Sequence, residues 1–301
     1  MLQQDPYMQF GPSGGISSPG GTFTSMTKLI EGVQLDYLWM PGDGVEEFGI
    51  HDAELNVTFA IPFFYNTETP LLVTPGFAMH YWNGPVTPDP PPPGTHGADL
   101  PAHVFDAYLD AAWNPQVAPW FGGELSFRVG VYSDFERVRH DSIRYTGKAV
   151  AVLSFSPSIK IKAGAWYLDR NRVKILPAGG LIWTPNSDVR FEILFPDPKF
   201  AKRLANYGNT EWWFTVRGEY GGGAWTIVRV NPGDPAIDGI LDAVDYNDLR
   251  CAVGLEWVNA SGLSGMFEVG FAFEREIFYS SRLPEDFRPN TTVFARGGLT
   301  Y

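Results

Sequence analysis

A strict alternation of apolar and polar residues is the feature that most constrains the fold of this 301-residue chain. In the segment 53–63 every odd position is apolar, and the even positions begin with Glu54, Asn56 and Thr58. Successive side chains of a β-strand point to opposite faces, so this period predicts a strand with one apolar and one polar face. The segment is also about as long as a tilted strand that crosses a bilayer, roughly 9–11 residues.

The same alternation recurs along most of the chain and predicts an antiparallel up-and-down sheet. It is found in segments 33–39, 71–81, 105–113, 125–131, 145–155, 159–167, 212–220, 249–257, 267–273 and 293–301. Tight turns alternate with longer polar loops, as in a barrel whose two ends face different environments. The strand count is about 14, with 12 as the alternative. Segment 189–205 is the doubtful part, and only segments 198–205 and 236–244 could form a turn or two of helix.

The character of the two faces favours a membrane barrel over a soluble one. The polar face carries many small residues and few lysines, which suits a confined wet lumen, and charged residues make up only 19% of the chain. Aromatic residues such as Trp39, Tyr81, Trp113 and Trp212 lie near predicted strand ends, as in the two girdles of a transmembrane barrel. We therefore predict an all-β transmembrane barrel over residues 28–301, preceded by a flexible Gly-, Ser- and Pro-rich segment 1–27. The alternative is a soluble β-sandwich or lipocalin-type barrel.

Composition excludes several classes of function. The chain has 34 acidic and 22 basic residues, a formal charge of −12, which argues against a nucleic-acid partner. Its single cysteine, Cys251, excludes both a disulfide scaffold and a Cys-based zinc site within one chain. Cys251 falls on the predicted lipid-facing side, where we expect a packed small hydrophobe.

The C-terminal stretch VFARGGLTY combines with the strand pattern to indicate a family. Its alternate positions carry Val293, Ala295, Gly297, Leu299 and Tyr301. The chain resembles a bacterial outer-membrane β-barrel, porin-like, in which such a stretch is the terminal assembly signal. The resemblance implies an outer-membrane location, contact with outer-membrane lipid and insertion by the barrel assembly machinery. Residues 1–12 show no signal peptide, so we expect the export leader of such a protein to lie outside this chain.

Inward-facing charges are predicted to form two walls of the lumen. The acidic wall comes from the earlier strands and consists of Asp36, Asp52, Glu54, Asp106, Asp110 and Glu124. The basic wall follows it in the strand order and consists of Arg128, Arg144, Lys148, Lys160 and Lys162. Such walls could create a transverse field across a water-filled pore, or they could pair as salt bridges that fill a closed barrel. The sequence leaves both interpretations open.

These features predict a passive, porin-like channel for small hydrophilic solutes. The alternative is a closed structural or ligand-binding barrel that acts through its extracellular loops; monomer and trimer both remain open. An outer-membrane enzyme is less expected, because His51 and Asp52 must point to opposite faces of one strand. The pair His140–Asp141, with Ser142 beside it, is expected to be a polar loop.

No cofactor or metal site is predicted. His96 and His103 share a loop but lack a third ligand. The weak candidate is Asp234, Asp238 and Asp242, spaced four apart as on one helical face. A solvated acidic face is the favoured interpretation of these three, because the EF-hand spacing is missing. Residues 221–223 are three consecutive glycines, which we interpret as a bulged point in a long strand.

Overall fold

The structure is a computed structural model of the chain. It describes residues 29–42, 48–63, 66–83, 99–230, 235–281 and 287–301. The predicted segment 1–27 and most of the Pro-rich loop 83–102 lie outside the described residues, and so do His96 and Asp234. No helix in the described ranges has the length and apolar character needed to cross a membrane.

The described residues form fifteen strands and one short 3-10 turn at His140–Ser142. The strands are β1 (Ile30–Met40), β2 (Ile50–Phe63), β3 (Asn66–Trp82), β4 (His103–Trp113), β5 (Gln116–Ala118), β6 (Phe121–Ser133), β7 (Ile143–Ser156), β8 (Ile159–Tyr167), β9 (Ile175–Asn186), β10 (Val189–Phe195), β11 (Lys199–Tyr207), β12 (Thr210–Val228), β13 (Leu241–Asn259), β14 (Ser264–Tyr279) and β15 (Thr292–Thr300).

Fourteen of these strands close into an antiparallel barrel, which confirms the predicted architecture and strand number. Each strand pairs with its neighbours in the chain, β4 pairs directly with β6, and β15 pairs with β1 to complete the ring. The three-residue β5 pairs only with β6 and lies outside this ring. We call the end that carries the tight turns and the C-terminus the turn end, and the opposite end the loop end.

The apolar and polar positions that alternate in the sequence correspond to the outer and inner faces of the barrel. Large apolar side chains on the outer face are exposed, among them Leu35, Leu55 and Phe271 at 50–59%. The inward side chains between them are mostly buried. An exposed apolar belt of this size belongs in lipid, because no soluble surface would leave it in water.

The two stretches predicted as possible helix are strands and a turn. Segment 198–205 falls almost entirely in β11, which pairs with β10 and β12 as part of the barrel wall. In segment 236–244 a turn ends at Gly239 and β13 begins at Leu241. In both segments, pairing with neighbouring strands outweighs the local residue spacing that suggested a helix. Without β11, the edges of β10 and β12 would be unpaired and the barrel would be open.

A charge on the outer face should cost more than the same charge on the lumen face. Val57 lies near the middle of β2 on the apolar face, opposite Val33 of β1, whereas the Thr58 hydroxyl lies 3.0 Å from that of Thr74 on the other face. We expect Val57→Arg to lower the free energy of unfolding by about 2–4 kcal/mol and Thr58→Arg to lower it less. Urea titration in lipid vesicles measures both. Equal losses would mean that the two faces are assigned wrongly.

The loop ends of β12, β13 and β14 bend together across the mouth of the barrel. The bend crosses the three strands at neighbouring positions. In β12 it lies at Gly222, which has φ +91°, and in β14 at Glu274, which has φ +48°. In β13, between them, the pairing register shifts between Asn247 and Leu249. Beyond this line the alternation of exposure stops, and residues 224–228 of β12 are all buried. We call residues 223–228, 241–246 and 275–279 the three-stranded flap.

Contacts on the far side of the barrel hold the flap in place. Thr226 of β12 pairs in parallel with Ser133 of β6, and the backbone N–H of Val228 donates to Asp134 Oδ2 at 2.6 Å. Under the flap lies a buried apolar cluster that includes Trp225 and Trp82. The lumen is therefore covered at the loop end by a part of its own wall.

The bend itself is fixed by a side chain from the connection between β8 and β9. Arg170 donates to the carbonyl oxygens of Gly221 at 2.9 Å and Gly222 at 2.6 Å, and also to Asn247 Oδ1 at 2.7 Å. These groups lie on both strands at the bend line. The predicted bulge at residues 221–223 is thus the place where β12 leaves the barrel wall.

Candidate functional site

The candidate site is a cavity of about 160 Å³ inside the barrel, beneath the flap. Its lining includes every residue of the predicted acidic wall, together with Arg128, Arg144 and Lys148 of the basic wall. Lys162 lies on the same lumen face of β8 but is buried outside the cavity lining, and Lys160 lies two residues closer to the turn end. The structure therefore brings most of the predicted charges to one chamber.

The two predicted walls neutralise each other where they meet. Arg128 Nε lies 3.2 Å from Asp110 Oδ2 on the neighbouring strand β4. Glu124 accepts from Lys162 at 2.6 Å and lies 3.6 Å from Lys148. The seam formed by β4, β6, β7 and β8 is thus a set of ion pairs, as the closed-barrel interpretation predicts.

Away from this seam the charges remain segregated. Asp36 of β1 and Glu54 of β2 face each other across their strands, so two carboxyl groups lie on one side of the cavity. Arg144 of β7 lines the same cavity and donates to the backbone carbonyl of Asp169 at 2.8 Å. The chamber therefore keeps an acidic side and a basic side, and a dipolar solute inside it would be oriented.

A histidine that the sequence analysis passed over lies at the top of the acidic side. His80 Nδ1 is 2.7 Å from Asp52 Oδ1, and Nε2 is 3.3 Å from Asp106 Oδ2. The flap residue Trp225 donates its indole N–H to the other oxygen of Asp106 at 2.6 Å. Flap and chamber are thus joined through one carboxylate. Asp52 and His80 lie opposite each other in the hairpin formed by β2 and β3. Aligning these two predicted strands as a hairpin is the sequence signal that could have identified the two residues as neighbours.

A second group of charges, which the sequence analysis did not recognise as one cluster, lies on the three strands that carry the flap and on β15. We call it the ion-pair cluster; it consists of Arg217, Glu219, Asp248, Arg250, Glu268 and Arg296. Glu219 is its centre, with Arg296 Nη2 at 2.8 Å, Arg250 Nη1 at 3.2 Å and Arg217 Nη2 at 3.3 Å. Their side chains are 1–6% exposed. This part of the lumen is filled by charges that pair with one another.

The remaining candidate residues do not meet in a common site. His51 bonds to Tyr37 on the outer face, while Asp52 points into the lumen, so this pair cannot act together. Ser142 Oγ accepts from the backbone N–H of Arg139. His103 begins β4, exposed, and its ring lies 5.2 Å from that of Phe105. None of these contacts resembles a nucleophile held by a base.

The aspartates that were the weak metal candidate are not placed on one helical face. Asp238 lies in the turn before β13, whereas Asp242 lies within β13, where Arg229 Nη1 is 3.5 Å from its carboxylate and Ser281 bonds to it. The helical spacing fails because the chain is extended here. Across the described ranges, three or more potential ligands do not gather around one point.

The predicted assembly signal forms the outer face of the closing strand. Val293, Leu299 and Tyr301 are 45–66% exposed, and β15 pairs with β1 beside them. Ala295 and Gly297 are half-buried on the same side. Recognition by an assembly machinery stays a prediction.

Comparisons with known proteins add distant structural likenesses. No protein-family model and no curated protein sequence matches the chain. Among solved structures, a KdgM porin in complex with disordered oligogalacturonate is 9% identical, with a TM-score of 0.37 over 89% of this chain and 98% of the other. LpxR from Salmonella typhimurium is 10% identical, with a TM-score of 0.41 over 90% and 99%. A mutant of the TodX monoaromatic hydrocarbon channel is 6% identical, with a TM-score of 0.33 over 89% and 88%. Scores this low carry no argument about function.

Proposed function

We propose that this chain is an outer-membrane channel for small hydrophilic solutes and that the flap closes its loop end. The observation that carries the proposal is the chamber itself. A barrel with an apolar exterior encloses a cavity of about 160 Å³, with the carboxyl groups of Asp36 and Glu54 on one side and Arg144 on the other. If the charges were only filler, they would all be paired as they are at the seam.

The second candidate is a closed ligand-binding barrel. The ion-pair cluster favours it, because its buried charges pair with one another inside the lumen instead of lining an open path for ions. The two candidates differ in one measurable property, which is steady conductance in a planar bilayer. Neither candidate assigns a catalytic role to any residue of the chamber.

A single charge change on the basic side should alter ion selectivity. Lys148 lines the chamber, and its side chain is 29% exposed, so it is accessible to ions. We expect Lys148→Gln to shift the reversal potential in a KCl gradient toward cation selectivity. Raising the salt concentration should weaken the shift, because screening shortens the reach of these charges to about 8 Å at physiological ionic strength.

The matched control removes the same charge from the outer face. Lys202 of β11 is exposed and pairs with Phe214, so Lys202→Gln should leave selectivity unchanged. Reproducible conductance steps whose selectivity responds to Lys148 alone would support the channel. A folded wild-type barrel that gave no conductance, even after prolonged applied voltage, would contradict it and favour the closed barrel.

A further inference from the structure

Three polar side chains on the lumen face of β7 border the chamber in a row. Arg144, Thr146 and Lys148 stand at every second position, so they point to the same side of the strand. Arg144 is the one nearest the loop end, and Lys148 lies closer to the turn end, opposite Trp166 of β8. The row therefore runs down the basic side of the chamber.

The guanidinium group of Arg144 is only partly used by the protein. Its Nη1 donates to the backbone carbonyl of Asp169 at 2.8 Å, and this is its one hydrogen bond to the described part of the chain. Nε and Nη2, which share one edge of the planar group, have no partner there. Arg144 is 7% exposed and borders the cavity, so a group in the chamber can reach this buried cation.

The carboxylates nearest to Arg144 are engaged by other groups. Asp169 accepts from the hydroxyl of Tyr167 at 2.9 Å and from a backbone N–H of β7 at 3.0 Å. Asp245 accepts from two donors of the connection between β8 and β9, at 2.8 and 2.9 Å, and Asp106 is bonded to the flap. All three act on the guanidinium from a distance, and none lies within ion-pair distance of it. Arg144 is therefore the cation of the chamber that lacks a direct counter-ion.

The ion pairs beside the row leave positive charge in excess. Glu124 lies 2.6 Å from Lys162 and 3.6 Å from Lys148, so one carboxylate serves two ammonium groups. Arg128 is neutralised at the seam. With Arg144 added, three cations of β7 and β8 face one carboxylate of β6. An anion in the chamber would meet this excess.

The shape of the guanidinium selects the kind of anion. Its N–H groups form a planar fork that matches the two oxygens of a carboxylate, and such charge-assisted pairs are among the strongest hydrogen bonds in proteins. A neutral solute would leave the buried charge uncompensated. A cavity of about 150 Å³ can hold benzene, so the chamber, at about 160 Å³, has room for a carboxylate with a few carbon atoms. Trp166 and Leu168 supply apolar lining for those carbons.

We propose that Arg144 and Thr146 bind the carboxylate group of a small monocarboxylic acid anion in the chamber. Arg144 donates to the carboxylate oxygens, the Thr146 hydroxyl donates to one of them, and Lys148 adds positive charge. The hydrocarbon part of the solute lies against Trp166. The inference deepens the proposed function by naming a solute class, and it rests on that function for the route by which the solute arrives.

Equilibrium binding to the detergent-purified, full-length protein tests the site without requiring conduction. Isothermal titration calorimetry at low salt compares propionate with propionamide, which has the same planar shape without the charge, and with propylammonium. We expect propionate to bind about tenfold more tightly than either of the others. Arg144→Gln should weaken propionate binding by about the same factor. Arg144→Lys, which keeps the charge and loses the fork, should weaken it less.

The control is Arg288→Gln, which removes a guanidinium from the loop end outside the chamber lining. The Arg288 side chain is 72% exposed, 3.4 Å from Glu276, and its loss should leave propionate binding unchanged. Each variant is first shown to be folded by its heat-dependent mobility on a gel. Equal affinities of the wild type for propionate and propionamide would overturn the site even if Arg144→Gln failed to fold. Unchanged propionate affinity in folded Arg144→Gln would overturn it as well.

The outcome also separates this site from the channel. Selective binding of propionate by a barrel that never conducts would contradict the channel and support the site. Conductance in a barrel that binds the three probes equally would support the channel and overturn the site.

Discussion

Replacing Gly222 with alanine is expected to release the three-stranded flap and to raise single-channel conductance several-fold. Gly222 has φ +91°, and a Cβ there would overlap the carbonyl oxygen of Tyr246 on the neighbouring strand. An L-residue therefore cannot make the bend that brings β12 across the mouth. Planar-bilayer recording measures the conductance. Cleavage by trypsin at Arg229, which is 1% exposed when the flap is closed, reports its release independently.

The control for this variant is Gly208→Ala. Gly208 also has a positive φ, +61°, but it lies at the turn before β12 and nothing would contact its Cβ within 4 Å. Alanine at position 208 has the same unfavourable positive φ, at a cost of about 1–2 kcal/mol, but its Cβ overlaps no neighbouring atom. Conductance and trypsin cleavage should therefore match the wild type. If Gly222→Ala folds and remains as resistant to trypsin as Gly208→Ala, the flap does not depend on this bend.

The largest loss of stability is expected from removing the centre of the ion-pair cluster. Glu219→Ala leaves the guanidinium groups of Arg296, Arg250 and Arg217 buried near one another without their shared carboxylate. Breaking a buried pair by deleting one partner costs about 3–5 kcal/mol, because the remaining charge is uncompensated. We expect a decrease of that size in the free energy of unfolding in lipid vesicles, measured by urea or guanidinium titration.

Glu211 provides the comparison at the exposed end of the same strand. It lies 3.4 Å from Arg203, with its side chain 32% exposed. Exposed ion pairs contribute about 0–1 kcal/mol, so Glu211→Ala should change stability little. Similar losses for the two glutamate variants would show that water reaches Glu219 as freely as it reaches Glu211, and the lumen would then be far more open than its burial indicates.

The barrel could be predicted from the sequence because its main rule is local. Alternation within a single strand already separates the lipid face from the lumen face, and it placed Asp36, Glu54 and Arg144 inside without knowledge of the pairing. The strand order then follows from short connections between neighbours. Ion pairs at the seam were one of the two predicted alternatives, because an acidic wall and a basic wall on neighbouring strands are in contact where they meet.

The flap could not be predicted because it depends on distant pairing. Its bend requires Gly222, a register shift in β13 and Glu274 of β14 to fall on one line, and that coincidence exists only after the strands are aligned. The role of Arg170 is likewise invisible, since its partners at residues 221 and 222 are about fifty positions away in the chain. The possible helical turns predicted in segments 198–205 and 236–244 were wrong for the same reason, because these segments are extended by pairing with strands that are distant in the sequence or not identifiable from local spacing.

The unequal strand lengths have a consequence for the surrounding lipid. On one side of the barrel the wall portions of β12 and β13, residues 210–222 and 247–259, have 13 residues each, whereas β10 has only 7. At roughly 3.3 Å per residue and a tilt of about 40°, β10 spans about 18 Å of height, less than the usual apolar band of about 25 Å. The outward side chains of β10, Ile193 among them, therefore match a bilayer whose apolar layer is several ångströms thinner than the one that the longer strands match. We expect this protein to compress the acyl chains on its low side, and to partition into bilayers of shorter lipids when offered a choice.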